Sequence, residues 1–107
     1  MREHRQFFRI TIERPGQLRH GLQTIECEVL DLTEKGLQVR TEVAVQVGEL
    51  VQLDCLLEEH LPFRCALVVT YIRPPYVGGR IVSITQEHHR RLSQYVERHI
   101  VQHLVGL

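Results

Sequence analysis

The sequence predicts a six-stranded antiparallel β-barrel, capped or flanked by one amphipathic α-helix. Three observations carry that expectation. Apolar residues alternate with polar ones through most of residues 10–84, the period of half-buried strands. Proline and glycine cut these runs into short pieces, and short antiparallel strands leave no exposed edge when they close into a barrel. From Gln86 the apolar spacing becomes that of a helix.

The first eight or nine residues are polar and basic, with Phe7 and Phe8 embedded among them. They are expected to form a flexible arm, residues 1–9, that leads into a barrel spanning residues 10–84. Ile10 and Ile12 begin the first strand, and Pro15-Gly16 is expected to turn the chain. Ile25, Cys27 and Val29 alternate with Glu26 and Glu28. Leu37 and Val39 alternate with Gln38 and Arg40. Val51, Leu53 and Cys55 alternate with Gln52 and Asp54. The run from Phe63 to Ile72 is almost wholly apolar and stops at Pro74-Pro75. Gly78-Gly79 are expected to precede a last strand at roughly Arg80 to Ile84. The helix is expected over 86–105, with Thr85 as N-cap and Gly106 at the end. Leu92, Tyr95, Val96, His99, Ile100, His103, Leu104 and Leu107 form its apolar stripe, which should cover the barrel or a second subunit.

At 107 residues, 43% hydrophobic and 24% charged, the chain suits one folded domain rather than a disordered segment. No apolar stretch approaches the roughly 18 residues that span a bilayer, so no membrane insertion is expected. The start, MREHRQFFR, lacks the apolar segment of a secretory signal. Cys27, Cys55 and Cys65 each fall in an apolar run and read as reduced core thiols, which points to a cytoplasmic protein.

The formal net charge is zero, but the charges are unevenly spread. Arginines crowd residues 1–25 and 60–107, while acids dominate residues 26–59. Lys35 is the only lysine. Arginine's planar fork suits phosphates and guanine edges. A nonspecific polyanion binder would carry a net basic charge. A small anionic ligand therefore fits better than long nucleic acid. A barrel that binds single strands would also need exposed aromatics for stacking, and most of the few aromatics here fall at core positions.

Two short stretches carry the chemistry. In "DLTEKG", Asp31 and Thr33 can accept backbone hydrogen bonds while Gly36 supplies a positive φ, so a strand-to-strand turn is the plain reading. In "RQFFR", Arg5 and Arg9 lie four apart. On an extended arm they would be roughly 13 Å apart and could reach two groups of one ligand. Arg-x-x-x-Arg followed by Asp-x-Thr-x-x-Gly, in a small β domain with a C-terminal helix, resembles the PilZ domain. That family is the bacterial receptor module for cyclic di-GMP. The resemblance covers nearly the whole chain and implies a ligand site of Arg5, Arg9, Asp31, Thr33 and Gly36, with His4, Gly79 and Arg80 as weaker candidates. Thr33 stands where serine is more frequent in the family. His4 stands where an arginine favours binding of a stacked ligand pair.

The chemistry is consistent with that ligand. Guanine O6 and N7 accept an arginine fork, and its N1–H and N2–H₂ donate to a carboxylate such as Asp31. Gly36 allows close approach of a base. No other cofactor is expected. Neither is a metal site: His99 and His103 have chelating spacing, but the sequence places no third ligand. His88-His89 beside Arg90-Arg91 read as a solvated helix start. No nucleophile–base pair or carboxylate dyad is evident, so the chain is not expected to be an enzyme.

The leading expectation is a cyclic di-GMP receptor whose arm changes conformation on binding. It would signal to an unidentified downstream protein that controls motility, exopolysaccharide or biofilm formation. The alternative is a protein-interaction module of the same fold without nucleotide binding, as in pilus assembly. Those relatives generally lack the arginine motif. A homodimer formed partly through the helix is also expected.

Overall fold

The computed structural model describes residues 9–42 and 44–105, the last five as backbone. Six strands and one helix follow one another: β1 (Ile10–His20), β2 (Gln23–Leu32), β3 (Gly36–Arg40), β4 (Leu50–Glu58), β5 (Leu61–Arg73), β6 (Tyr76–Ser83) and α1 (Gln86–Val105). The strands close into a barrel in the order β1-β2-β3-β6-β5-β4, with every pairing antiparallel. Closure satisfies both ladders of each strand.

The alternation of the sequence becomes the alternation of the wall. On β4, Val51, Leu53, Cys55 and Leu57 point inward, while Gln52, Asp54 and Leu56 do not. Phe63, Leu18, Leu32, Val29 and Val69 fill the interior with them. All three cysteines are free thiols in this core. Burial pushes each of them up to about 12, so they stay protonated and inert.

Two turn assignments are corrected. Pro15-Gly16 lies inside β1, which continues to a hairpin at Gly21, where φ is 61°. Gly16 is paired with Cys27 on one side and Cys55 on the other. A Cβ there would meet the Asp54 carbonyl oxygen and the Cys55 Cβ, both at 3.0 Å, so the glycine admits close strands rather than a reversal. Pro15 stands beside the β1–β4 ladder, which starts at Gly16, where a missing donor is tolerated. Gly78-Gly79 likewise lie within β6, which starts at Tyr76. The bend comes earlier, at Pro74-Pro75. A Cβ on Gly78 would collide with the ring of Tyr71, so Gly78 is small to admit an aromatic neighbour.

Thr85 caps α1: its Oγ1 accepts from the His88 N–H at 3.2 Å, relieving one orphan donor of the first turn. Leu92, Tyr95 and Val96 are buried against the barrel, and Ile100 packs beside them. Arg91 Nη1 donates to the Pro62 carbonyl at 2.8 Å, and His88 Nδ1 accepts from the Arg64 N–H at 3.2 Å. Side chain and backbone contacts thus seat the helix against the start of β5. Tyr95 belongs to this core and is not free for a subunit contact. The side chains of His103, Leu104 and Leu107 lie outside the described residues, as does Gly106. Among the described residues no helix is long and apolar enough to cross a membrane.

Candidate functional site

The turn between β2 and β3 is built around one hydroxyl. Thr33 Oγ1 accepts from the Lys35 N–H at 3.1 Å and the Gly36 N–H at 3.0 Å, and donates to the Gly36 carbonyl at 3.2 Å. The Thr33 N–H donates to that same carbonyl at 2.9 Å. Four hydrogen bonds on one residue make a rigid ST-type turn. Gly36 does not supply a positive φ, contrary to the sequence expectation; among the described glycines only Gly21 and Gly48 do. Its role is proximity. Gly36 pairs with Arg80, and a Cβ at Gly36 would collide with the Gly79 carbonyl oxygen. The Ile81 N–H donates to the Lys35 carbonyl at 2.8 Å. The turn is therefore fastened to β6 at Arg80 and Ile81 and lies close against Gly79, so that it meets both weaker candidates, Gly79 and Arg80.

Asp31 is aimed by a bulge. Val29 pairs with Val39 and Asp31 with Gln38, so Leu30 is the extra residue of β2. The inward phase of Val29 would otherwise send Asp31 into the core. The bulge shifts the phase, buries Leu32 and turns Asp31 outward. Thr11, opposite Asp31 on β1, donates from Oγ1 to Asp31 Oδ1 at 3.3 Å.

Arg9, Asp31, Thr33, Gly36, Gly79 and Arg80 line one open cavity of about 270 Å³. Arg9 and Arg80 are exposed and make no ion pair among the described residues. With Lys35 also on the wall, three cations face one carboxylate. The cavity thus has a net positive lining and one anionic acceptor, a combination that suits an anion carrying N–H donors. Arg5 and His4 lie outside the described residues. Gln38, Thr70 and Tyr71 also line the cavity and were missed from the sequence. Tyr71 reaches the outer face through a second bulge, between Val69 and Tyr71. A sequence signal existed for both bulges: inward apolar residues step by two up to Val29 and Val69, then by three to Leu32 and Ile72.

A larger groove, about 570 Å³, lies between β1, β4, β5 and the start of α1. Its two arginines are already paired with acids. Arg64 Nε donates to Asp54 Oδ1 at 2.5 Å, and Arg91 pairs with Glu87. The smaller cavity has cations to offer and this groove does not. Among the described residues no group of His, Cys, Asp and Glu could hold a metal ion. His99 instead donates from Nδ1 to the Tyr95 carbonyl at 3.0 Å.

The family model of the PilZ domain matches residues 3–98. Solved structures of similar fold include the Bacillus subtilis inhibitor of motility, MotI/DgrA. It has a TM-score of 0.78 and 21% identity, over 94% of this chain and 53% of that one. The PilZ domain of YcgR from Escherichia coli, solved with c-di-GMP, has a TM-score of 0.74 and 16% identity, over 98% of this chain and 100% of that one. K. pneumonia MrkH in its apo state has a TM-score of 0.77 and 15% identity, over 100% of this chain and 55% of that one. The chain thus spans about half the length of MotI/DgrA and MrkH. A comparison with curated protein sequences gives no match.

Proposed function

The chain belongs to the PilZ domain family, and we propose that it is a cyclic di-GMP receptor that passes its bound state to a partner protein. PilZ domains are ligand-binding and adaptor modules without catalysis. The observation that carries the reading is the convergence of Arg9, Asp31, Thr33, Gly36 and Arg80 on one cavity from three separate parts of the chain. The arginine forks match the phosphates and the O6/N7 edge of guanine. The Asp31 carboxylate matches the N1–H and N2–H₂ donors. Thr33 serves mainly by fixing the turn, and Gly36 by holding it against β6.

A cavity of about 270 Å³ falls at or below the ~300–1,000 Å³ of pockets that enclose a drug-sized ligand. A cyclic dinucleotide would therefore sit only partly within it. Arg9 lines the cavity and is exposed. In this reading residues 1–8, with Arg5, close over the ligand, and their docked and undocked forms present different surfaces to the partner. The output in this reading is motility, exopolysaccharide or biofilm control, and the motility inhibitor among the similar structures supports the first of these. A homodimer through α1 would use the helix surface other than Leu92, Tyr95, Val96 and Ile100, which pack on the barrel.

Calorimetric titration of the pure protein with cyclic di-GMP tests this reading. Saturable binding is expected, with much weaker binding of linear GMP, which offers one guanine. No binding at all would leave the interaction module without nucleotide as the better account.

A further inference from the structure

One row of residues crosses five strands on the outer face of the barrel. Thr11 on β1 is opposite Asp31 on β2, Asp31 opposite Gln38 on β3, Gln38 opposite Gly78 on β6, and Gly78 opposite Tyr71 on β5. Two of its members, Asp31 and Tyr71, are turned outward by separate bulges. Bulges that re-aim side chains recur beside functional sites. The Tyr71 ring lies over Gly78, where no Cβ could fit. It thereby crosses β6 and donates its hydroxyl to Gln38 Oε1 at 2.5 Å. Tyr71 is 40% exposed, so the bond is not a by-product of core packing. It occupies the carbonyl end of the Gln38 amide and directs the Nε2–H₂ end away from Tyr71.

We propose that Gln38, oriented by Tyr71 across Gly78, is a base-reading residue of this site that donates its amide N–H to guanine O6. Cross-strand neighbours hold their Cβ atoms about 4.5–5.5 Å apart, within reach of one purine edge. Asp31 then accepts from N1–H and N2–H₂, while Gln38 donates to the adjacent O6. On the same edge adenine carries an N6–H₂ donor in place of O6. A fixed amide donor would face that donor and disfavour adenine. Tyr71 is a positioning residue and Gln38 the contact. The inference rests on the cyclic di-GMP reading and adds a specificity element to it.

The test compares cyclic di-GMP with cyclic di-AMP by calorimetry in the wild-type chain, Gln38→Met and Tyr71→Phe. Both substitutions keep side-chain bulk at partly exposed positions, and circular dichroism checks that the barrel is intact. Each variant should lose about fivefold or more in cyclic di-GMP affinity, the scale of one neutral hydrogen bond. Neither should lose cyclic di-AMP affinity, so the guanine preference narrows by the same factor. In the ligand-free protein, Tyr71→Phe should also shift the Gln38 side-chain amide resonance. An equal loss for both nucleotides, or no loss, would overturn the role of Gln38 and leave the receptor reading standing. A wild-type chain that binds no cyclic di-GMP would overturn both.

Discussion

Gly36 lies so close to Gly79 that a single added Cβ would collide with the Gly79 carbonyl oxygen. The contact joins the β2–β3 turn to the middle of β6, and with it one half of the site to the other. Gly36→Ala must therefore push β3 away from β6. Overpacking of this kind costs about 1–3 kcal/mol. Urea unfolding should show that loss, and the folded fraction should bind cyclic di-GMP more weakly. An unchanged midpoint would mean that the two strands can separate without cost.

Asp31→Ala removes the one carboxylate among the charged groups of the cavity. Binding should weaken by about 1–3 kcal/mol. Thr11 loses only an exposed partner at 3.3 Å, so the circular dichroism spectrum should not change. Full affinity in a folded variant would reduce Asp31 to a strand residue whose carboxylate serves only Thr11.

Thr33 separates turn geometry from ligand contact. Thr33→Ser keeps the hydroxyl and its bonds to the Lys35 and Gly36 N–H groups, so stability should change little. Thr33→Val keeps the shape and deprives both donors of their acceptor, costing about 1–2 kcal/mol. Equal thermal stability of the two variants would contradict the turn's dependence on that oxygen.

The thiols predict a pH dependence. Burial raises Cys27, Cys55 and Cys65 from 9.0 to about 12 in the folded chain. Between these values the unfolded chain releases thiol protons that the folded chain retains. Fewer protons on the unfolded state mean that stability is intact below this window and falls as pH rises through it. Urea midpoints should decline above about pH 9. A Cys27→Ala, Cys55→Ala, Cys65→Ala triple variant should show a shallower decline. Native alkylation by iodoacetamide should be slow at neutral pH and rapid in urea.

Leu92 is fully buried where α1 meets the barrel. Leu92→Ala should destabilise the chain by about 2–5 kcal/mol. A smaller change would show the helix to be an appendage rather than part of the core.

Much of the barrel was legible because a strand's inward residues must be apolar every second position, and Val51, Leu53, Cys55 and Leu57 obey this throughout. Pro15-Gly16 and Gly78-Gly79 misled because glycine serves two needs, and its identity does not say which. One is reversal of the chain and the other is close approach of a neighbour. Only the neighbours, Cys55 for Gly16 and Tyr71 for Gly78, decide between them. Asp31, Thr33 and Gly36 were legible as a cluster because they are local in sequence. Gln38 and Tyr71 were not, since their meeting depends on β3 and β5 flanking β6. The step from two to three at Val69 and Ile72 was the available clue.

The placement of the site is tested most directly by amide hydrogen exchange with and without saturating cyclic di-GMP. The account predicts added protection in three segments together: residues 2–9, residues 31–37 and residues 78–81. Protection gained in the last two alone would place the ligand in the cavity but remove the arm from the mechanism. Protection gained instead along the groove between β1 and α1, around Gly16, Arg64 and Arg91, would contradict the account.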